Sequence, residues 1–326
     1  MNAGLLVVVF LAYVVAGKLG LSLAFVHASA SPVWPPTGIA LGALLLTQYR
    51  VWPAILLGAF VVNATTAGSL VTSAGIAVGN TLEGLLGAWL VTRYAGGRDA
   101  FRRAGDVCRF ALAGFVSSAL SATIGVTTLA LGGYASWAGY ASIWSTWWLG
   151  DVGGALLVAP ALVLWSRQPR LGYDGARAVE AAAMLATTIG LGLVLFGGGL
   201  AAMGMTRYPL SFFALLPLLW AAFRFGPREA SALLLVMSGI ATWGTLRGFS
   251  AFAIGAPNDS LLLLQAFLAA AAGVALPTAA IVEEHLLDLS RITAGKLALD
   301  MKPVTKDEFL AMLSHELRTP LNAMST

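Results

Sequence analysis

Ser145-Thr-Trp-Trp-Leu-Gly-Asp-Val-Gly-Gly-Ala-Leu-Leu-Val-Ala-Pro-Ala-Leu-Val-Leu-Trp165 carries a single ionisable side chain, Asp151, in an otherwise uncharged run. Wound as an α-helix, with a rise of ~1.5 Å per residue, it reaches about 30 Å, the thickness of a bilayer's hydrocarbon core. The same pattern recurs along the chain. Ten hydrophobic segments are read at 3–27, 33–48, 51–68, 70–92, 106–131, 141–165, 179–202, 209–223, 228–246 and 260–282. The segments at 33–48 and 209–223 are short and marked by Pro35, Pro36, Pro209 and Pro217, so each is tilted, broken or re-entrant, and eight crossings stand beside ten. The expected fold is an all-α, polytopic transmembrane helix bundle.

Composition agrees. Of 326 residues, 58% are hydrophobic and 10% charged, against about 25% charged in soluble domains. The mean hydropathy is +0.83. Basic residues are dispersed among short loops, so the pI of 9.4 reports orientation and gives no reason to expect nucleic acid as a partner. With the amino terminus in the cytoplasm, the inner loops hold Arg50, Arg93, Arg98, Arg102, Arg103, Arg109, Arg167, Arg170, Arg177, Arg224 and Arg228, and the outer loops only Arg207 and Arg247. That is the asymmetry of the positive-inside rule. It predicts a bacterial inner-membrane protein with both termini cytoplasmic. The first apolar run is too long for a cleavable signal, lacks a basic n-region and contains Lys18.

Charges inside a bilayer are costly, so Lys18, Glu83 and Asp151 each call for a partner or a cavity. At ~1.5 Å per residue they lie ~12, ~18 and ~15 Å below the outer edge. Asn80 is one turn before Glu83, Asn63 and Gln265 lie nearer the outside, and Trp147 and Trp148 sit just above Asp151. Two readings follow. One is a polar, aromatic-lined pocket for a small molecule, with Lys18 paired to Glu83 or Asp151; the other is helices knitted together by buried polar contacts. The glycines Gly150, Gly153, Gly154 and Gly197 to Gly199 read as sites of close helix approach or bending. No metal centre is expected: Cys108 is the one cysteine and reads as a small buried hydrophobe, while His27 and His285 fall on opposite sides of the membrane.

The carboxyl-terminal stretch has a different character. In Phe309-Leu-Ala-Met-Leu-Ser-His-Glu-Leu-Arg-Thr-Pro-Leu-Asn322, a helical projection puts Leu310, Leu313, Leu317, Leu321 and Met324 in one stripe. His315 projects from nearly the opposite side with Thr319 and Asn322. An imidazole held in water beside the Glu316 carboxylate is placed to act as a nucleophile. Upstream, Leu286, Leu289 and Ile292 form a dimer seam on a rod that continues the last membrane helix. Gly295 and Pro303 are expected to interrupt it, and Thr305 with Glu308 to open a new helix as a capping box.

Phe309, Ser314, His315, Glu316, Leu317, Arg318, Thr319, Pro320 and Leu321 closely resemble the phosphoacceptor box of sensor histidine kinases. The resemblance implies that His315 is phosphorylated, that Glu316 is its acid/base partner and that Thr319 positions water for the phosphatase reaction. It also implies a homodimer, a response regulator as partner, and ATP with Mg²⁺ in the complete kinase. Because the chain stops at Thr326, the fragment is expected to hold no cofactor and to be inactive alone. A second resemblance covers residues 5–285. Trp34-Pro-Pro-Thr-Gly-Ile-Ala-Leu-Gly42, Trp52-Pro53, Gly58-Ala-Phe-Val-Val-Asn63, Gly79-Asn-Thr-Leu-Glu83, Trp147-Trp-Leu-Gly-Asp151 and Pro217-Leu-Leu-Trp-Ala-Ala-Phe-Arg-Phe-Gly226 are similar to the blocks of the type-one membrane-associated sensor domain. Three regions are therefore expected: a sensor domain over 1–284, a signalling linker over 285–303, and the start of a dimerisation and phosphoacceptor domain over 304–326. A transporter-like or solute-binding protein with a regulatory tail is the alternative, since short proline-bearing segments and midplane charges also suit a substrate pathway.

Overall fold

The computed structural model describes residues 3–205 and 210–300. Among them there is no β-strand, and the architecture is an all-α bundle. The helices are α1 (Ala3–Leu21), α2 (Pro35–Thr47), α3 (Trp52–Ala64), α4 (Leu70–Tyr94), α5 (Ala104–Leu131), α6 (Tyr140–Arg167), α7 (Gly175–Phe196), α8 (Gly199–Ala202), α9 (Leu215–Arg224), α10 (Pro227–Leu246) and α11 (Pro257–Asp300). Seven are long and apolar enough to cross a membrane; three more apolar stretches, Pro35–Thr47, Trp52–Ala64 and Leu210–Arg224, are shorter. Their starts follow local chemistry. Prolines open α2, α3 and α10, where the missing N–H costs nothing. Ser69 and Thr72 cap α4 reciprocally, and the Asp174 carboxylate accepts from the Arg177 N–H at the head of α7. Glycine ends α7: Gly197 follows Phe196, and Gly198 has φ of +100°.

The short helix α2 is the centre of the amino-terminal half. It packs on α1, α4 and above all α6. Nine of its thirteen residues are buried, so it lies inside the bundle and not on its lipid-facing surface. What brings it there is glycine. A Cβ on Gly38 would sit 2.1 Å from the Gly154 carbonyl oxygen, one on Gly154 2.1 Å from that of Trp34, and one on Gly150 2.2 Å from that of Ser31. The backbones of α6 and of the Ser31–Gly38 stretch therefore touch, as the small residues of membrane helix interfaces allow. Outward faces stay apolar, with Leu5, Val8, Leu11, Val15 and Leu19 exposed along α1.

Several loop arginines close helix ends. Arg98 donates to the Leu45 carbonyl (3.0 Å) and to that of Leu46, at the end of α2. Arg167 donates to the Arg98 carbonyl (2.8 Å) and to Asp99 (2.6 Å), and Arg228 to the Gln168 and Arg170 carbonyls (2.8 and 3.1 Å) beyond α6. Cations at helix carboxyl ends satisfy orphan carbonyls and oppose the helix dipole. Arg167 holds the Asp99 carboxyl below the usual carboxylate range, first through its hydrogen bond.

Two expectations need correction. Cys108 is exposed on α5, not buried, because a small apolar thiol is as compatible with a membrane-facing surface as with a core. Gly295 does not end the last helix; α11 runs through it to Asp300, since one glycine costs a helix only about 1 kcal/mol. Pro303 and the Thr305–Glu308 box lie outside the described residues. The chain divides into two units at Glu283, the first holding the bundle.

Gly154→Ala is expected to destabilise the bundle by about 1–3 kcal/mol through overpacking, while Gly190→Ala, mid-helix in α7 with nothing within 4 Å of its Cβ, should hold or slightly raise the detergent-phase thermal unfolding midpoint. Arg167→Gln should cost at most ~1 kcal/mol, because Asp99 and Arg167 are half exposed. The Asp99 carboxyl is lowered in the folded state, so its share of that cost is present above the ordinary carboxyl value of about 4 and vanishes as pH falls through the depressed one. Unfolding curves of both proteins between neutral and acid pH measure the difference.

Candidate functional site

Two hydrogen-bonded chains meet in the interior of the first unit. In one, Ser118 on α5 donates to Glu83 Oε1 on α4 (2.8 Å), and Thr37 on α2 lies 3.2 Å from Glu83 Oε2 and 3.0 Å from Asp151 Oδ1 on α6. In the other, Trp147 Nε1 on α6 donates to Ser121 Oγ on α5 (3.2 Å), which donates to Asn80 Oδ1 on α4 (2.9 Å). Asn80 Nδ2 in turn donates to the Tyr13 hydroxyl on α1 (3.1 Å). Every side chain in both chains is buried, Glu83 to 1% and Asp151 to 0% exposure. Five helices thus contribute to one polar centre in an apolar bundle. Such a centre is expensive unless its groups are mutually satisfied.

The remaining candidates lie elsewhere. Lys18 pairs with neither carboxylate: its ammonium donates to the Val62 and Thr65 carbonyls (3.1 and 3.0 Å) and to Thr66 Oγ1 (2.7 Å). It closes the carboxyl end of α3, where three oxygens and the helix dipole compensate the charge. Asn63 bonds the Ala59 carbonyl of its own helix (2.9 Å). Trp148 turns the other way, donating to the Phe115 carbonyl (3.0 Å) with its ring stacked on Trp144. Gln265 rests against Gly153 and borders a separate cavity of about 370 Å³, lined also by Trp34, Leu157, Ser238, Thr242 and Trp243. His315, Glu316 and Thr319 lie outside the described residues.

Sequence reasoning missed Tyr13, Thr37, Ser118 and Ser121. Ser118 and Ser121, one turn apart on α5, were the available signal. Isolated hydroxyls are common in membrane helices, where they bond their own backbone as Thr81 and Thr188 do here, so that spacing is a weak sign of a bond to another helix. Among the described residues no group of three or more His, Cys, Asp or Glu side chains is arranged to hold a metal ion.

A multi-helix bundle with ionisable groups held at its centre defines a polytopic membrane protein. Residues 5–286 match the family model MASE1, and the chain belongs to that family. Residues 305–326 match the His Kinase A (phospho-acceptor) domain. The two together make this a multi-pass membrane protein that is the sensor part of a histidine kinase. No curated protein and no solved structure matches the chain.

Thr37→Val removes the hydroxyl shared by two buried carboxyl groups and is expected to cost about 1–3 kcal/mol. Ser73→Ala, which deletes a buried hydroxyl with no partner, should cost nothing measurable by the same thermal unfolding assay.

Proposed function

We propose that this chain senses a stimulus in or near the bacterial inner membrane and controls phosphorylation of His315 by ATP. The observation that carries the reading is the succession of the two matches in one polypeptide, a membrane sensor over 5–286 and a phosphoacceptor domain over 305–326. His315 stands in the box Phe309–Leu321 with Glu316 beside it. Attack of the imidazole nitrogen on the γ-phosphorus of ATP forms the P–N bond and breaks the bond to the leaving ADP oxygen. Glu316 accepts the proton from the ring's other nitrogen. ATP and Mg²⁺ come from a kinase ATP-binding domain. The phosphoryl group then passes to an aspartate of a response regulator, and Thr319 positions water when the regulator is dephosphorylated.

Both termini on the cytoplasmic side put His315 where ATP is. The distribution of arginines among the loops supports this topology. Leu286, Leu289 and Ile292 are exposed on α11, and their helical spacing suits a seam with a second copy of the chain. Rotation or sliding of that pair would change access to His315. The polar centre around Glu83 and Asp151 is the candidate receptor, with a small molecule as one form of the stimulus.

In lipid vesicles, with a histidine-kinase ATP-binding domain in the same polypeptide, radiolabelled ATP should give an acid-labile, alkali-stable phosphoryl group. His315→Gln should abolish it, and Glu316→Gln should slow its formation by roughly 10²-fold or more. Label retained in His315→Gln would refute the assignment.

A further inference from the structure

Counting hydrogens at the carboxyl pair exposes a deficit. Glu83 and Asp151 present four carboxyl oxygens in a site closed to solvent. Two hydroxyl protons are given to them, that of Ser118, on Glu83 Oε1, and that of Thr37; the Ser121 hydroxyl also lies against the pair, but its proton goes to Asn80 Oδ1. The Thr37 hydroxyl carries one hydrogen yet lies within bonding distance of both carboxyl groups, and a hydroxyl can donate to one acceptor while accepting from another. Asp151 Oδ2 is buried with no hydrogen-bond partner. Among the described residues neither carboxyl forms an ion pair, and Lys18 is committed to the end of α3.

The neighbours offer no compensating charge. Tyr13 faces the pair from α1, with its hydroxyl bonded to Asn80. From α2 and α5 come only Thr37, Ser118 and Ser121, and α4 and α6 otherwise contribute Asn80 and Trp147. Two ionised carboxylates here would be like charges side by side in a low-dielectric interior, an arrangement in which one of the two retains a proton. One added proton resolves the conflict at Thr37 and leaves Asp151 Oδ2, still without a partner, as the uncharged carbonyl oxygen of a neutral acid. The protonated carboxyl donates to Thr37 Oγ1, Thr37 donates to Glu83 Oε2, and Ser118 to Glu83 Oε1; one negative charge remains, held by two hydrogen bonds.

We propose that Glu83, Thr37 and Asp151 form a binding site for one exchangeable proton at the centre of the bundle. The site is a property of the membrane part and is measured without reference to His315, so it stands or falls apart from the kinase reading. Because α2 reaches both carboxyl groups through the single Thr37 hydroxyl, release of the proton leaves one carboxylate without that donor. The α2–α4–α6 contact is the element that senses occupancy.

Infrared spectra of the purified protein in lipid, with ¹³C-labelled aspartate and in H₂O and D₂O, test this. Glu283→Gln serves as background, because it removes another half-buried carboxyl group whose band would fall in the same spectral window. The expected result is a protonated-carboxyl carbonyl stretch at neutral pH. It shifts in D₂O, disappears as pH rises, and is absent in Asp151→Asn and in Glu83→Gln. Absence of that stretch from the folded background protein at neutral pH would overturn the proposal, and this measurement needs no variant at the pair. So would a rise in thermal stability with Na⁺ at fixed pH that vanishes in Asp151→Asn, since the site would then take a metal ion.

Discussion

The backbone contact between α2 and α6 is the constraint on which the rest of the amino-terminal half rests. Gly38, Gly150 and Gly154 lack the atoms that would hold the two segments apart, so main chain meets main chain. In a bilayer, where burying apolar surface against a neighbour gains little over lipid, such close van der Waals packing is a principal source of helix association. It also fixes a distance: Thr37, three residues past Trp34, arrives at Asp151 one turn before Gly154. A side chain at either glycine would move the hydroxyl out of reach. Packing and polar chemistry are therefore one design in this protein, and the first cannot be relaxed without loss of the second.

The charged residues divide by purpose. Lys18 and the arginines Arg98, Arg167 and Arg228 serve helix ends, where orphan carbonyls gather and cations are stabilising. These arginines fasten the loops to the helix ends they border. Among the described residues Glu83 and Asp151 have no cation, and they rely on hydroxyl donors from α2 and α5. A salt bridge at that depth would be locked in one state. A carboxyl pair served by shared hydroxyls, under the proposal above, can hold or release its proton.

Much of this was legible in the chain itself. Ten apolar segments, the short character of 33–48 and 209–223, and the role of Gly150 and Gly154 follow from hydropathy and residue size, which do not depend on the partner; the run read over 51–68 holds a third short helix, Trp52–Ala64, which hydropathy did not reveal. The meeting of Glu83, Asp151, Asn80 and Trp147 followed from depth alone. For Lys18 the depth itself was misread: α1 ends at Leu21, so the ammonium lies one turn from that end, against the carboxyl end of α3, and not level with the carboxylates. Rotation about each helix axis, which decides where a side chain at a given depth points, is set by neighbouring helices.

The sequence by itself determined that the chain is a bundle of apolar helices, that it belongs with membrane sensors, and that a phosphoacceptor motif follows at 309–321. These rest on composition and on local motifs, readable one segment at a time. Only the tertiary structure decided that Thr37, Ser118, Ser121 and Tyr13 join the centre, that Lys18 leaves it, and that Gln265 borders a second cavity. A lone hydroxyl in an apolar helix has two equivalent fates, its own backbone or a neighbour's side chain. The choice is made by how closely the helices approach.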